Sequence, residues 1–432
     1  MRFLSAAALA LLALPARENA QGTSGSMSSA DAPGEHGEAA PGSTPVESGS
    51  PDPMATMEAM EPMDHWMTMV HGYAFVNANR QGGPSGGREF ESQNHLMAMA
   101  MRSWAGGKLS LRGTFTLEPA TIPPEGSREL FQRGETYDGV LLIDRQHPHD
   151  LFVELAAAWE KETSAAGRFR FYVAPIGEPA LGPVAYPHRL SASENPTAPL
   201  SHHNQDSTHI AADVLRAGWK YTIFEIEGSA FHGREPDENR WDIDQGSIDS
   251  YSGRLWIRPT PELSLQVSSA HLEHPEAIEE GNQTRTTASL AYEKALPGGF
   301  FAATLIAGRN RTPDGPEWGN LFEGTWKFAD ANFVYARVES VDRDLYELTA
   351  KRQRPPDVPP DRTNVQSLTL GYVRDVALFS EAETGLGLDG TAYRFTSRLD
   401  SVYGAHPLSV HAFLRVRFGS GGHDRAGHEG HE

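Results

Sequence analysis

Apolar and polar side chains alternate along many short segments of the chain from about Thr68 onward. The last segment shows the pattern most clearly. One of its faces carries Leu408, Val410, Ala412, Leu414, Val416 and Phe418, and the other carries Ser409, His411, Arg415 and Arg417. Successive side chains of a β-strand point to opposite sides, so this pattern predicts a strand with one apolar and one polar face. Such repeats are typical of membrane barrels, whose apolar faces contact lipid and whose polar faces line the lumen.

The same alternation places sixteen candidate strands along the chain. They cover residues 68–79, 91–104, 108–118, 150–160, 167–175, 207–217, 219–231, 248–258, 262–272, 283–294, 298–309, 318–328, 331–341, 365–375, 380–390 and 408–418. Short connections alternate with long ones, as in barrels with tight turns at one end and long loops at the other. The sequence therefore predicts an all-β fold, a transmembrane antiparallel up-and-down β-barrel of about 16 strands (range about 12–18), over residues 67–418.

This topology also predicts which segments face outward. With both ends of the chain in the periplasm, the outward loops are 119–149, 177–206, 232–247, 274–282, 310–317, 342–364 and 391–407. We therefore expect the protein in the cell outer membrane of a Gram-negative bacterium, with its N- and C-terminal segments in the periplasm.

The N-terminal residues have the features of an export signal followed by a polar arm. Arg2 precedes an apolar run from Phe3 to Ala16, which is the layout of a signal peptide, and we place the signal at residues 1–20. Between Gln21 and Asp64 there are eight acidic residues and no Lys or Arg. Such a composition buries too little apolar surface to offset the entropy of ordering, so it predicts a disordered periplasmic arm over residues 21–66. Residues 419–432 form a His-containing C-terminal tail.

Net charge limits the possible partners. The chain has 37 basic and 57 acidic residues, a formal charge of −20, which argues against nucleic acid. The absence of cysteine excludes both disulfides and a lipid-modified cysteine. The expected partners are outer-membrane lipid and metal ions or small solutes. The sequence leaves open whether the protein forms a homo-oligomer.

All eleven methionines lie within the first 101 residues. The densest part of this cluster contains Met54, Met57, Met60, Met63, His65, Met67, Met69 and His71. Thioether sulfur is a soft ligand suited to Cu(I), and imidazole accepts either oxidation state of copper, so we predict a copper site here. The alternative is an amphipathic helix with methionine at every third position. Met97, Met99 and Met101 share one face of the second strand, and for them we favour a lipid-facing or packed apolar stripe over a sulfur ladder into the lumen.

Histidines form further candidate metal ligands. The C-terminal tail holds His423, His428 and His431, a His-rich tract of a kind that commonly binds metal. The outward loops and strand ends hold His147, His149, His202, His203 and His209, with acidic residues nearby. For these groups an equal alternative is that they only make the hydrogen bonds that order long loops. A Ca²⁺ site at Asp237, Glu238, Asp242 and Asp244 is a further possibility.

Several loop segments resemble those of an uncharacterised family of Gram-negative outer-membrane β-barrel proteins. They are Asp144–Phe152 (DRQHPHDLF), Gly177–Pro183 (GEPALGP), Ala198–His203 (APLSHH), Asp206–Ile210 (DSTHI) and Gly233–Glu238 (GREPDE). The resemblance implies a barrel and brings no site residues with it. Separately, the arm from Met54 to His71 resembles, in composition, the Met/His-rich region of copper-resistance outer-membrane proteins.

Three functions follow as hypotheses. The first is an outer-membrane barrel for binding, tolerance or transport of copper or another soft metal, with copper as the one cofactor suggested. The second is a general diffusion porin whose lumen charges select small solutes. The third is a barrel hydrolase using Ser207 and His209, which lacks a recognisable third group, so we expect no enzyme.

Overall fold

The computed structural model describes residues 64–164, 166–277 and 281–419. Its strands are β1 Met67–Gln81, β2 Gly87–Trp104, β3 Gly107–Phe115, β4 Ser127–Tyr137, β5 Val140–Gln146, β6 Phe152–Ser164, β7 Gly167–Gly177, β8 Ala211–Tyr221, β9 Phe224–His232, β10 Ser250–Thr260, β11 Leu263–Leu272, β12 Gln283–Leu296, β13 Gly299–Thr312, β14 Gly315–Phe328, β15 Asn332–Asp344, β16 Arg362–Asp375, β17 Glu383–Arg394 and β18 Leu408–Gly419. Strands β4 and β5 pair only with each other, and the other sixteen form one closed antiparallel barrel. The predicted all-β barrel of about 16 strands is therefore confirmed.

Neighbours in sequence are neighbours in the barrel. Strand β3 pairs with β6, because the β4–β5 hairpin lies outside the barrel sheet, and β18 closes the barrel on β1. Tight turns and the segment that connects β16 to β17 lie at the barrel end where β1 begins and β18 ends, which we call the terminal end. The opposite end, which we call the loop end, carries the long connections.

Three predicted outward loops were wrong: residues 177–206 fold into the lumen, as described below, and residues 119–149 and 310–317 also differ from the prediction. Residues 119–149 contain the β4–β5 hairpin, and most residues of β4 are buried on both faces, so no alternation marked it as a strand. Residues 310–317 are not a loop, because β13 and β14 extend through them to a turn of two residues, Pro313 and Asp314. Gly315 ends this turn with φ +104°, a backbone conformation that glycine adopts without strain.

The two faces of the barrel wall differ as predicted. In β18, Leu408 and Phe418 are exposed on the outer face, whereas Arg415 is fully buried on the inner face. Large apolar side chains are exposed on the outer face of other strands too, including Val70, Leu96, Phe171, Val267, Leu305, Leu370 and Leu386. The inner face is polar and well packed, because loops from the loop end fill much of the lumen.

Helical segments are short and lie in the loops. They are α1 Glu118–Thr121, α2 His202–Gln205, α3 Leu345–Ala350 and α4 Asp400–Tyr403, with 3₁₀ turns at Tyr186–His188, Leu190–Ala192, Ser207–His209 and Ser397–Leu399. Among the described residues no helix is long and apolar enough to cross a bilayer.

The connection between β7 and β8, residues 178–210, is folded into the lumen, and we call it the inner loop. Its helix α2 packs against two paired glycines, Gly308 of β13 and Gly319 of β14. A Cβ at Gly308 would lie 2.1 Å from the Asn204 carbonyl oxygen, and one at Gly319 would lie 2.8 Å from the Asn204 Cβ. Only residues without a side chain leave room for α2 at this height of the barrel wall.

Buried ion pairs fix the inner loop to the wall. Arg189 donates through Nη1 to Asp206 (2.5 Å) and through Nε to Glu323 of β14 (2.7 Å). Arg337 of β15 donates to the other oxygen of Glu323 (3.0 Å). Further along, Glu194 pairs with Arg415 and Arg417 of β18. Apart from Arg417, whose side chain is 26% exposed, these charges are almost completely buried, so removing one partner would leave the other uncompensated.

Candidate functional site

Six sulfur and imidazole side chains form three facing pairs on the inner face of β1 and β2. The pairs are Met67 with Met101, Met69 with Met99, and His71 with Met97. We call this set the methionine ladder. Four of its methionines form one buried cluster, Met69, Met97, Met99 and Met101, with Met67 packed against them.

Of the two forms of apolar stripe expected for Met97, Met99 and Met101, the lipid-facing one was wrong, whereas the packed one agrees with their buried cluster. Leu96, Ala98 and Ala100 hold the outer face of β2, and the methionines share the parity of His95, which lines the lumen. Met97 and Met101 are each 1 % exposed. The Nε2 atom of His71 lies 3.3 Å from the sulfur of Met97, so the imidazole and thioether groups are already in contact.

Through His71, the ladder borders a vestibule in the lumen with a volume of about 1100 Å³, whereas its five methionines are not part of the vestibule lining. Pro261 and Glu381 line it at the terminal end, and His71 lines it beside the ladder. At the inner end the wall contains His149 and His209. The ladder's imidazole and inner-loop residues such as His188 therefore line the same vestibule.

Aromatic and imidazole rings continue from the ladder into the lumen. The ring of His95 stacks on Tyr73 at a centroid distance of 5.5 Å, and it contacts the ring of His188 edge to face at 4.9 Å. The Nε2 atom of His95 is buried and has no hydrogen-bond partner. His95 was not among the candidate ligands chosen from the sequence.

Five histidines from two loops meet at the inner end of the vestibule, and we call them the histidine cluster: His147, His149, His202, His203 and His209. Adjacent ring centroids are 5.3 to 6.2 Å apart. The structure thus brings together all five of the loop histidines that the sequence marked as candidates. Whether they bind metal stays a prediction.

Hydrogen bonds set the orientation of several of these rings. The Nδ1 atoms of His149, His202 and His209 lie 2.8 Å from Glu118 Oε2, Asp206 Oδ1 and the Asp206 carbonyl oxygen, respectively. An acceptor at Nδ1 holds the proton there and leaves the Nε2 lone pair available as a ligand. In His149 this Nε2 atom is buried without a partner.

Burial keeps most of the cluster uncharged. It lowers the pKa of His202 to about 4 even though Asp206 opposes the shift, and it lowers the pKa of His203 to about 3. The pKa values of His147 and His209 also fall well below their ordinary range, again mainly through burial. For His149, burial acts in the same direction but Glu118 outweighs it, so its pKa rises. Four of the five imidazoles are therefore in the neutral, ligand-competent form near pH 7.

A mixed group of donors lies on the side of the cluster nearer the loop end. Among the described residues, ligand atoms of His203, Glu235 and Glu276 lie within 4.8 Å of one another. Ligand atoms of Asp237, Asp242 and Asp244 form a second such group, which is largely exposed. Glu238, which we had grouped with those aspartates, instead accepts hydrogen bonds from the backbone N–H groups of Asp138 and Gly139.

The hydrolase hypothesis gains no support from the geometry. Ser207 donates to Glu235 (3.3 Å) and accepts from Arg285 (2.7 Å). His209 uses its Nδ1 atom on the backbone, so no serine–histidine hydrogen bond is formed between the two proposed residues. Asp206, the acid nearest to them, is paired with Arg189 and His202.

The remaining candidates lie at the ends of the chain. His65 is exposed just before β1. Met54, Met57, Met60 and Met63 lie outside the described residues, as do His423, His428, His431, the signal peptide over residues 1–20 and most of the arm.

Comparison with known proteins identifies the fold. No family model and no curated sequence matches the chain. An anion-selective porin from Comamonas acidovorans is similar in structure, with a TM-score of 0.50, 10% identity, and coverage of 82% of this chain and 100% of that chain. OprB of Pseudomonas putida has a TM-score of 0.49, 10% identity, and coverage of 82% and 94%. OmpF of Salmonella typhi, in complex with daunomycin, has a TM-score of 0.49 and 8% identity, with coverage of 81% of this chain and 97% of that chain. The likeness to the Comamonas porin is one of barrel fold.

Proposed function

We propose that the chain is an outer-membrane barrel that binds and handles a soft metal ion, Cu(I) first of all, in its lumen. One observation carries the proposal: five thioethers and one imidazole face each other in pairs on the inner wall, beside the vestibule. Thioether and imidazole together are the ligand set that favours Cu(I) over hard cations.

Packing alone is a weaker account of the ladder. Methionine fills irregular gaps well, but the outer faces of the same strands use Val70, Leu96 and alanines instead. The inner face that continues from the ladder is polar, with Gln93, His95 and Tyr73 along the vestibule. A sulfur-rich patch at the start of a polar lumen is better explained by a ligand than by a need for apolar volume.

The outer surface supports placement in a membrane. Leucine, valine, phenylalanine and tryptophan side chains are exposed around the barrel wall, including Phe171, Trp219, Leu255, Trp326 and Leu388. Apolar area of this extent is stable in lipid and not in water. We propose that the terminal end faces the periplasm, where the arm with Met54 to Met63 would deliver metal to the ladder.

A general diffusion porin is the second candidate, and the vestibule favours it. Its volume of about 1100 Å³ and charged wall groups such as Glu262, Arg258 and Arg417 suit small polar solutes. Beyond the vestibule, however, the inner loop packs tightly on the wall: Thr325 and Glu323 are each 1% exposed. A bare ion handed between ligands needs less room than a hydrated solute.

The test is Cu(I) affinity measured by competition with a chelator, on the folded full chain in detergent. The ladder variant combines Met69→Leu, Met97→Leu and Met99→Leu, which conserve volume and remove sulfur. We expect its tightest site to weaken by at least about 100-fold, since even changes to outer-shell groups cost roughly 10–100-fold in metal affinity.

An arm variant serves as the matched control. It changes Met54, Met57, Met60 and Met63 to leucine, so it removes four sulfurs, one more than the ladder variant, but leaves the lumen intact. We expect it to bind fewer Cu(I) ions while it keeps the tightest site. Equal affinity in the wild type and the ladder variant would refute the proposal, and solute flux through vesicles without any Cu(I) binding would favour the porin.

A further inference from the structure

We propose a second metal site, for a divalent cation of the Zn²⁺ or Cu²⁺ class, formed by His203, Glu235 and Glu276. It differs from the methionine ladder in position and in chemistry, because it lies among the loop-end segments and contains no sulfur. The proposal stands whether or not the ladder binds Cu(I).

The donors come from three separate loops that are already joined. His203 lies in α2 of the inner loop, Glu235 in the β9–β10 loop and Glu276 in the β11–β12 loop. The backbone N–H of Glu235 donates to the carbonyl of Pro275 (2.9 Å), which holds the last two loops side by side. A metal ion here would link all three.

The spacing needs little adjustment. The three ligand atoms lie within 4.8 Å of one another, and His203 Nδ1 is 3.7 Å from Glu235 Oε1. Two donors bound at about 2.1 Å to one tetrahedral ion are about 3.4 Å apart. A contraction of about one ångström, within the reach of side-chain torsions, closes the site.

An unpartnered oxygen points to a missing ligand. The side chain of Glu235 is 8% exposed and that of His203 is 12% exposed. Yet Glu235 Oε2 is buried and has no hydrogen-bond partner. Buried polar atoms are nearly always satisfied, so an ion bound to this carboxylate would explain its unpartnered oxygen.

The local charge also calls for a cation. The carboxylates of Glu235 and Glu276 lie together and are partly buried. Arg133 acts on both carboxylates but also pairs with Glu347 (3.6 Å). Arg285 is near, but its guanidinium donates to Ser207, Gln283 and Asn310. A divalent ion between the carboxylates would neutralise them directly.

The donor set selects the class of ion. One imidazole and two carboxylates suit Zn²⁺ or Cu²⁺, whereas Cu(I) prefers sulfur. Three protein ligands leave a fourth position for water, so the ion would be exchangeable. The lumen would then hold soft sulfur ligands at the terminal end, and imidazole and carboxylate ligands toward the loop end.

The experiment titrates zinc chloride into the folded full chain and follows amide hydrogen exchange together with Zn²⁺ stoichiometry. The variant is Glu235→Gln with Glu276→Gln. The control is Glu125→Gln, an exposed glutamate in the β3–β4 connection at the same end. In the wild type and the control, Zn²⁺ should slow exchange in residues 233–249 and 273–277, and the double variant should lose one Zn²⁺ equivalent and this protection.

Each outcome decides the proposal. Loss of protection in the double variant supports the site, provided that the variant is folded. Folding is checked on a gel, where a folded barrel migrates differently before and after heating. The proposal is overturned if Zn²⁺ protects all three proteins equally or has no effect on these loops in the wild type. It is also overturned if X-ray absorption of the protected state shows sulfur in the first shell of the zinc ion.

Discussion

The close approach of α2 to the barrel wall makes Gly308→Ala an informative perturbation. The new Cβ would lie 2.1 Å from the Asn204 carbonyl oxygen, whereas real Cβ atoms essentially never come within 3.0 Å of another heavy atom. The helix must therefore retreat by about 0.9 Å, the difference between these two distances. Because the clash involves backbone, no side-chain rotation relieves it.

The expected cost is that of overpacking, about 1–3 kcal/mol, borne by the inner loop and not by the barrel strands. Amide exchange in residues 199–209 should then be faster by about 5- to 150-fold, since each 1.4 kcal/mol is a factor of ten. The assay is hydrogen exchange followed by mass spectrometry on the folded protein in detergent.

Gly253→Ala is the matched control, because a Cβ there would meet its nearest atom, the Glu227 carbonyl oxygen, at an ordinary 3.8 Å. Exchange in residues 199–209 should be unchanged in that variant. If Gly308→Ala behaved like Gly253→Ala, the inner loop would not be seated on the wall as described, and the reasoning would be refuted.

Three further predictions concern anchoring and membrane placement. Arg189→Met leaves Asp206 buried without its guanidinium, so the inner loop should open more easily by about 3–5 kcal/mol, measured by hydrogen exchange. Burial would raise the pKa of Glu194, but Arg415 and Arg417 outweigh it and hold this pKa below its ordinary 4.5. The ion pairs of Glu194 are therefore present above that pH, and they are lost as the pH falls through the depressed pKa. Acid should then speed amide exchange in the inner loop, and Glu194→Gln should abolish this effect. Leu370→Lys places a charge on the outer face and should cost about 2–4 kcal/mol in folding into vesicles if the residue lies near the bilayer centre, whereas no change would argue against lipid contact.

The sequence predicted the barrel well because one physical rule governs most strands. In β18 the outer face must be apolar and the inner face can be charged, so Leu408 and Arg415 show their orientation directly. The rule fails for β4, whose residues Leu130, Phe131 and Gln132 are buried on both faces. A segment packed inside the lumen has no reason to alternate.

The orientation of the methionines was ambiguous for a related reason. Along the end of β2 both faces are apolar, methionine on one and alanine on the other, so hydrophobicity alone does not distinguish lipid from lumen. The signal lay earlier in the same strand: Glu91 and His95 share the methionines' parity and must point inward. Extending that parity would have identified the ladder.

The histidine cluster shows what a sequence pattern cannot supply. The residue types were visible in two loop segments, but their meeting in the lumen depends on the fold of the inner loop. The contact of α2 in this loop with Gly308 and Gly319 joins residues that are more than 100 positions apart in the chain. Glu118, which orients His149, was placed at the end of a predicted strand and was not recognised as a partner.

The central claim is that sulfur in the lumen binds Cu(I), and copper X-ray absorption of the arm variant tests it most directly. That protein lacks the arm sulfurs of Met54 to Met63 and retains Met67 to Met101 in the ladder. With one equivalent of Cu(I), the account predicts a first shell dominated by sulfur with a nitrogen contribution, and loss of that sulfur signal when all five ladder methionines are also changed to leucine. A first shell of nitrogen and oxygen alone, or a sulfur signal that survives the ladder changes, would contradict it.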